Sequence, residues 1–192
     1  MVTPLSSQLR ELGIRQQDDP ILRRAATPFA LPAEADEAVR LRETLLTYIR
    51  RLKELHPFRK GVGLAAPQIG VSRAVTLVQP AANADTDDAP IITLLNPVVL
   101  SRSHDEDDQY EGCLSFFDVR GLTRRPLAIS VQVTNLDGSI HVLDFEQGIA
   151  RLVLHEIDHL AGKLYIDELV PGSSLVSVED YQGSDSAWQY QP

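Results

Sequence analysis

FEQGIARLVLHEIDHLAG, residues 145–162, is an apolar run in which the few polar side chains fall at regular intervals. The spacing predicts a helix over 145–161, closed by Gly162 in the position past the last turn where a left-handed residue is favoured. Apolar residues occupy nearly every side of it, so it is expected to be central and buried. His155 and His159, four apart, then share one face and aim both imidazoles at a single point. Glu156 lies directly beside them, placed to exchange a proton with water at a bound cation. Burying such groups without partners is costly, which favours a metal site over coincidence.

Two imidazoles do not complete a site. One class of metalloprotease continues as HExxHxxGxxH; here Gly162 is present, but Tyr165 stands where the third histidine belongs. Another class takes a glutamate from a later helix. Glu168 and Glu179 are the downstream candidates, and no second amphipathic helix is evident to carry either. The single cysteine, Cys113, offers a better route from EGCLS (111–115), a glycine-containing turn between expected strands. A thiolate is a strong ligand for zinc or ferrous iron, and three protein ligands with an open position make a catalytic pattern. His56, His104 and His141 could each add a fourth ligand, but they read better as surface histidines.

Working outward, EADEAVRLRETLLTYIRRLKEL (34–55) is the clearest amphipathic helix, ended by His56-Pro57. GVGLAAPQIG (61–70) reads as an extended or irregular segment whose backbone something approaches closely. AVTLV (74–78) and IITLLNPVVL (91–100) read as strands around a polar loop, QPAANADTDDAP, expected at the surface and mobile. SRSHDEDDQ (101–109) reads as an acidic turn, and 127–145 as a hairpin with a tight primed turn at Asp137-Gly138. The expected fold is α+β: one domain of antiparallel strands and hairpins around the central histidine-bearing helix, with a helix near the N-terminus. Residues 1–170 form the catalytic domain in this reading. Residues 171–192 are a polar tail that adds an edge strand or lacks order.

The charge balance, 18 basic against 27 acidic residues for a net −9, disfavours nucleic acid and anionic membrane surfaces as partners. No stretch reaches the roughly 18 apolar residues of a membrane span, and the N-terminus lacks the apolar core of a secretory signal. A lone cysteine cannot form an internal disulfide, which suits a reducing cytoplasm.

Three segments in order, GVGLAAPQ (61–68), EGCLS (111–115) and HEIDH (155–159), closely resemble the signature motifs of the peptide deformylase family. IRQQDDPILRRAA (14–26) and the order of elements are similar too, so the resemblance covers roughly residues 14–170. It implies removal of the formyl group from N-terminal formyl-methionine of nascent chains. It also implies one divalent cation per chain, natively Fe2+, with Zn2+, Ni2+ or Co2+ able to substitute. Carried over by motif, Cys113, His155 and His159 are the ligands and Glu156 is the proton carrier. The Gln68 amide and the Leu114 backbone N–H become the oxyanion donors. Val62, Gly63 and Gly112 would pair with the substrate main chain. Gly148, Arg151 and Leu152, before His155 on the helix, are candidate walls for the methionine side chain. Arg151 would lay its stem along the pocket with its charge turned outward.

The chain departs from the family pattern at Leu154, where glutamine is usual, and at Phe117, where proline is usual. Those changes leave open a specialised relative acting on another formylated amine, beside the metalloprotease reading with a glutamate ligand. Asp158 on the helix needs a cation, and Arg125 is the expected partner. Some family members dock on the ribosome through a basic C-terminal helix. Five acidic residues and no basic one follow Lys163, so docking of that kind is not expected here.

Overall fold

Leu41, Leu45, Ile49 and Leu52 recur every three or four residues and give α2 (Ala35–Leu55) one continuous buried side. The helix stops at His56, which is extended (φ −151°, ψ 132°), the conformation favoured in a residue that precedes proline. A shorter helix, α1 (Leu5–Glu11), comes before it and inserts Leu9 into the same core. The computed structural model describes residues 4–182 except 57, 59–60 and 82–88. The loop expected to be mobile (most of 79–90) and the end of the tail (183–192) thus lie largely outside the described residues.

Among the described residues, nine strands form three antiparallel sheets of three. In the first, β1 (Val62–Ala65), β2 (Val75–Gln79) and β3 (Ile92–Leu95) lie in that order, and β2 is buried along its whole length. α2 covers this sheet through Leu41, Leu45 and Ile49 against Leu64, Val75 and Leu77. The second sheet has the order β4-β7-β8, from β4 (Val98–Arg102), β7 (Ala128–Thr134) and β8 (Ile140–Glu146). The third joins β5 (Glu106–Cys113), β6 (Phe116–Pro126) and the short β9 (Val176–Ser177) in the order β5-β6-β9, and α4 (Val178–Gln182) follows. The histidine-bearing helix, α3 (Gln147–Leu160), lies among them. Its Ala150, Val153 and Leu154 pack with Val78, Leu94, Val131 and Phe145. The α+β architecture around a central helix is the one expected. The described part of the tail adds an edge strand to the third sheet.

Three local expectations are corrected. IITLLNPVVL is two strands, broken at Asn96 in the left-handed region (φ 48°). Its side chain accepts from the Phe29 N–H at 2.8 Å and donates to the Phe29 carbonyl at 2.9 Å, a cross-link that replaces continued sheet pairing. The acidic stretch 101–109 is mostly strand: β4 runs to Arg102 and β5 starts at Glu106. The 127–145 hairpin turns through three residues, Leu136 to Gly138, not two. Asn135 N–H reaches the Ser139 carbonyl at 2.8 Å, and Gly138 takes the left-handed position (φ 86°).

Candidate active site

Alternation along β5 sends Asp107, Gln109, Glu111 and Cys113 to the side facing α3. Four-residue spacing on α3 stacks Arg151, His155 and His159 on the side facing β5. The two stripes meet. One metal-binding nitrogen from each histidine and the Cys113 sulfur lie within 4.8 Å of one another, and all three residues are buried. Cys113 Sγ is 3.2 Å from His159 Nε2. His155 and His159 stand edge to face, ring centroids 5.1 Å apart, and Tyr165 stacks on His155 at 5.9 Å.

This cluster suits a divalent cation by its chemistry. Burial alone would raise the Cys113 pKa, but the His159 and His155 imidazoles outweigh it and hold the thiol well below its usual range. The sulfur is therefore poised as thiolate, the form that ligates. His155 offers its other nitrogen, Nδ1, to Glu111 Oε2 at 2.9 Å, which orients the ring and frees Nε2 for the cluster. A Cys-His-His set of this kind binds one divalent metal, with donors suited to Fe2+ or Zn2+.

Glu111, which sequence reasoning did not single out, organises the surroundings. Arg125 grips it in a bidentate pair at 2.9 and 3.0 Å and reaches Asp158 at 2.5 Å, the partnership expected for Asp158. Arg151 adds a contact to Glu111 at 2.8 Å and to Asp107 at 2.6 Å. Burial opposes the Glu111 charge, but the bond to His155 and the Arg125 guanidinium hold it well below the ordinary carboxylate range. Arg151 thus lines the cleft as expected, but its charge turns inward. Buried Glu111 and half-buried Asp107 on β5, with the Thr123 hydroxyl at 2.8 Å, replace solvent as its partners. The signal for Glu111 was present, since a ligating histidine needs a second partner. Glu111 is the acid two residues before Cys113 on the same strand face.

Glu156 points beside the cluster, and its Oε2 is buried without a partner. Burial pushes its pKa up, the two imidazoles pull it down and Cys113 raises it again, leaving it at about 7. Gly63 makes room for it: a Cβ there would lie 2.2 Å from Glu156 Oε1. Gln68 is fixed by the Ala65 N–H, which donates to its Oε1 at 2.9 Å, so its Nε2 faces Cys113 Sγ at 3.5 Å and Ser115 Oγ at 3.4 Å.

These groups open onto a cleft of about 500 Å³, within the usual range for small-ligand sites. Leu114, Val62, Gly112, Gly148 and Leu152 line it with Gly63, Gln68, Cys113, Arg151, His155 and Glu156, and His159 joins them through the donor cluster, so the structure brings the residues expected from sequence together. His56 also lines the cleft, against Phe58 and Phe117, and is not the surface histidine expected; His104 and His141 are exposed. Glu168 faces Lys163 at the surface and Glu179 is exposed on α4. Neither joins the donor cluster, which removes the glutamate-ligand alternative. Of the two departures, Leu154 packs in the core and Phe117 reaches the cleft.

Three protein donors converge on one point, the set typical of a catalytic metal site, and the unpartnered Glu156 carboxyl stands next to it; the fold and site define a metal-dependent hydrolase. Residues 12–174 match the sequence pattern described as Polypeptide deformylase, and the chain belongs to that family. The peptide deformylase of Natranaerobius thermophilus is 34% identical over 154 residues, spanning 80% of this chain and 89% of that protein. That of Acidobacterium capsulatum is 36% identical over 150 residues, spanning 77% and 80%. A class I type b peptide deformylase from Acinetobacter baumannii, solved with Met-Ala-Ser bound, superposes with a TM-score of 0.68 at 30% identity, covering 81% of this chain and 96% of that one. A probable peptide deformylase from Synechococcus phage S-SSM7 gives 0.69 at 29% identity, covering 81% and 98%. The chain is thus a hydrolase of the deformylase type, acting on N-terminal formyl-methionine. No helix among the described residues is long and apolar enough to cross a membrane.

Proposed function

We propose that this chain deformylates newly made polypeptides with Glu156 as the proton carrier and Gln68 and Leu114 as oxyanion donors. The observation that carries the reading is the Glu156 carboxyl, buried beside the Cys-His-His cluster with its Oε2 unpartnered. Cys113, His155 and His159 would hold a divalent cation, which would supply Lewis acidity toward water and the formyl carbonyl. Glu156 takes a proton from the attacking water and returns it to the departing amine. The Gln68 side-chain amide and the Leu114 backbone N–H donate to the oxygen on which negative charge develops. With Oε1 tied to Ala65, Gln68 can present only its donor end.

The rest of the peptide lies between two strand edges. Among the described residues β1 pairs only with β2, and β5 only with β6, so Val62, Gly63 and Gly112 face the cleft from edge strands. Main-chain pairing there tolerates varied sequence, as nascent chains require. Leu152, Gly148 and the aliphatic stem of Arg151 bound the space for the methionine side chain. Residues 1–170 form the catalytic domain and 171–192 its appendage. The setting is a reducing cytoplasm, which suits a buried lone thiol. The cation is Fe2+ in the cell. Any ribosome docking does not run through a basic C-terminal helix, since residues 164–192 carry only acidic charges.

The test is an anaerobic assay of iron-loaded protein on formyl-methionyl peptides beside other formylated amines. The peptides are expected to be turned over fastest. Turnover of other formylated amines with the peptides left intact would replace this assignment with a specialised relative.

A further inference from the structure

The donor set spans two elements that apolar packing does not tie together. Cys113 ends β5, and both histidines ride on α3. The apolar side of α3 packs on the first two sheets through Val78, Leu94, Val131 and Phe145, and among the described residues no side chain of β5 belongs to that cluster. Cys113 packs instead with Leu22, Phe116, Leu164 and Tyr165. Polar side chains must therefore hold the sulfur at its distance from the imidazoles.

Arg151, on α3 and 8% exposed, reaches across to both strands of the hairpin. Its Nη1 donates to Glu111 Oε1 and to the Thr123 hydroxyl on β6, each at 2.8 Å. Its Nη2 donates to the Asp107 carboxylate at 2.6 Å and to the Asp107 carbonyl at 2.9 Å. Asp107 and Glu111 are about 13 Å apart along an extended strand, and one guanidinium bridges their side chains. Arg151 and His155, one helical turn apart, meet the two oxygens of the same carboxylate: Arg151 at Oε1, His155 Nδ1 at Oε2. With the two Arg125 bonds, each Glu111 oxygen has two partners and its acceptor sites are filled. Arg125 also braces the last turn of α3 through Asp158, and Arg151 braces the turn before His155. Two such points stop the helix from pivoting on β5; one does not.

We propose that Arg151 is a positioning residue that sets the spacing of α3 and β5, and with it the fit of Cys113, His155 and His159 around one cation. This rests on the Cys-His-His cluster as the metal site. The guanidinium acts through Glu111 and the ligands, not on the reacting atoms, whereas the aliphatic stem only bounds the cleft.

The test compares full-length wild type, Arg151→Met and Arg151→Lys. Zn2+ affinity is measured by competition with a chromophoric chelator, and the visible spectrum of the Co2+ form reports ligand number and symmetry. Arg151→Met keeps an apolar stem and is expected to bind Zn2+ about 10- to 100-fold more weakly, with its Co2+ bands shifted. Arg151→Lys restores the charge without the two-ended fork, so it is expected to recover thermal stability but not affinity. Asp107→Asn, at the half-exposed end of the same bridge, is expected to weaken Zn2+ binding by a smaller factor. Leu45→Ala, in the cluster beneath α2, is a destabilised control whose Co2+ spectrum should match wild type. Unchanged affinity in Arg151→Met or, should that variant not fold, in Asp107→Asn overturns the proposal while the metal reading stands. So does full recovery of affinity by Arg151→Lys, or an equal spectral shift in Leu45→Ala. A wild type that takes up neither Zn2+ nor Co2+ overturns both.

Discussion

Glu156 shows how much one buried carboxyl controls. Glu156→Gln keeps the shape but cannot carry a proton, so turnover is expected to fall by roughly 10²–10⁴-fold, with metal content unchanged by elemental analysis. The same residue sets a pH signature on stability. Its pKa rises from 4.5 to about 7 on folding, so the folded chain holds that proton more tightly than the unfolded one. The resulting stability is complete below 4.5 and is lost as pH climbs through 7, on the order of 3 kcal/mol in the metal-free protein. Urea unfolding of metal-free wild type should therefore weaken more between pH 5 and pH 8 than that of Glu156→Gln; equal pH slopes would exclude this assignment. Gly63 provides a third measurement. A methyl group there would meet Glu156 Oε1 at 2.2 Å, so Gly63→Ala is expected to displace the carboxyl and cut kcat at least tenfold while the cation stays bound. The position of Glu156 beside two histidines was legible in the sequence. Its steric dependence on Gly63 was not, because it arises only where α3 packs on β1.

At the scale of elements, the site is a hairpin joined to a helix through charge. Arg125 on β6 holds Glu111 on β5 and Asp158 on α3, and Glu111 in turn fixes His155. Removing one partner from such a buried network leaves a charge uncompensated, at a cost of about 3–5 kcal/mol. Arg125→Met is thus expected to lower unfolding free energy by about that amount and to weaken metal binding roughly 10- to 100-fold, as losses behind a ligating histidine do. Retained metal affinity in a destabilised variant would uncouple Glu111 from His155. The same charges explain why β5 was misread. EDDQYEGC has the composition of a solvent-exposed turn, and binary patterning counts every acid as outward-facing. Asp107 and Glu111 face inward only because Arg151 and Arg125, distant in sequence, arrive to pair with them. α2 and α3 were legible for the opposite reason, since their apolar periodicity is local. The break at Asn96 was hidden likewise, its bonding partner Phe29 lying far back along the chain.

For the molecule as a whole, the cation links parts that are separate in sequence: Cys113 ends a strand of one sheet, and both histidines ride on the central helix. A ligand that binds only the folded form stabilises it by about 2.7 kcal/mol when present at 100 times its dissociation constant. For a chain of this size that raises Tm by roughly 5–10 °C. Thermal unfolding with and without added Zn2+ should show this rise, and Cys113→Ala should lose most of it. The rise should also depend on pH. In the metal-free chain burial lowers the His155 pKa, but the Cys113 thiolate and Glu111 outweigh it and hold the imidazole protonated well above its ordinary range. A cation must displace that proton, so its apparent affinity falls as pH falls. At fixed metal concentration the gain in Tm should therefore shrink from pH 8 to pH 6. A gain independent of pH would mean that His155 gives up no proton on binding, and that the Cys-His-His cluster is not where the cation sits.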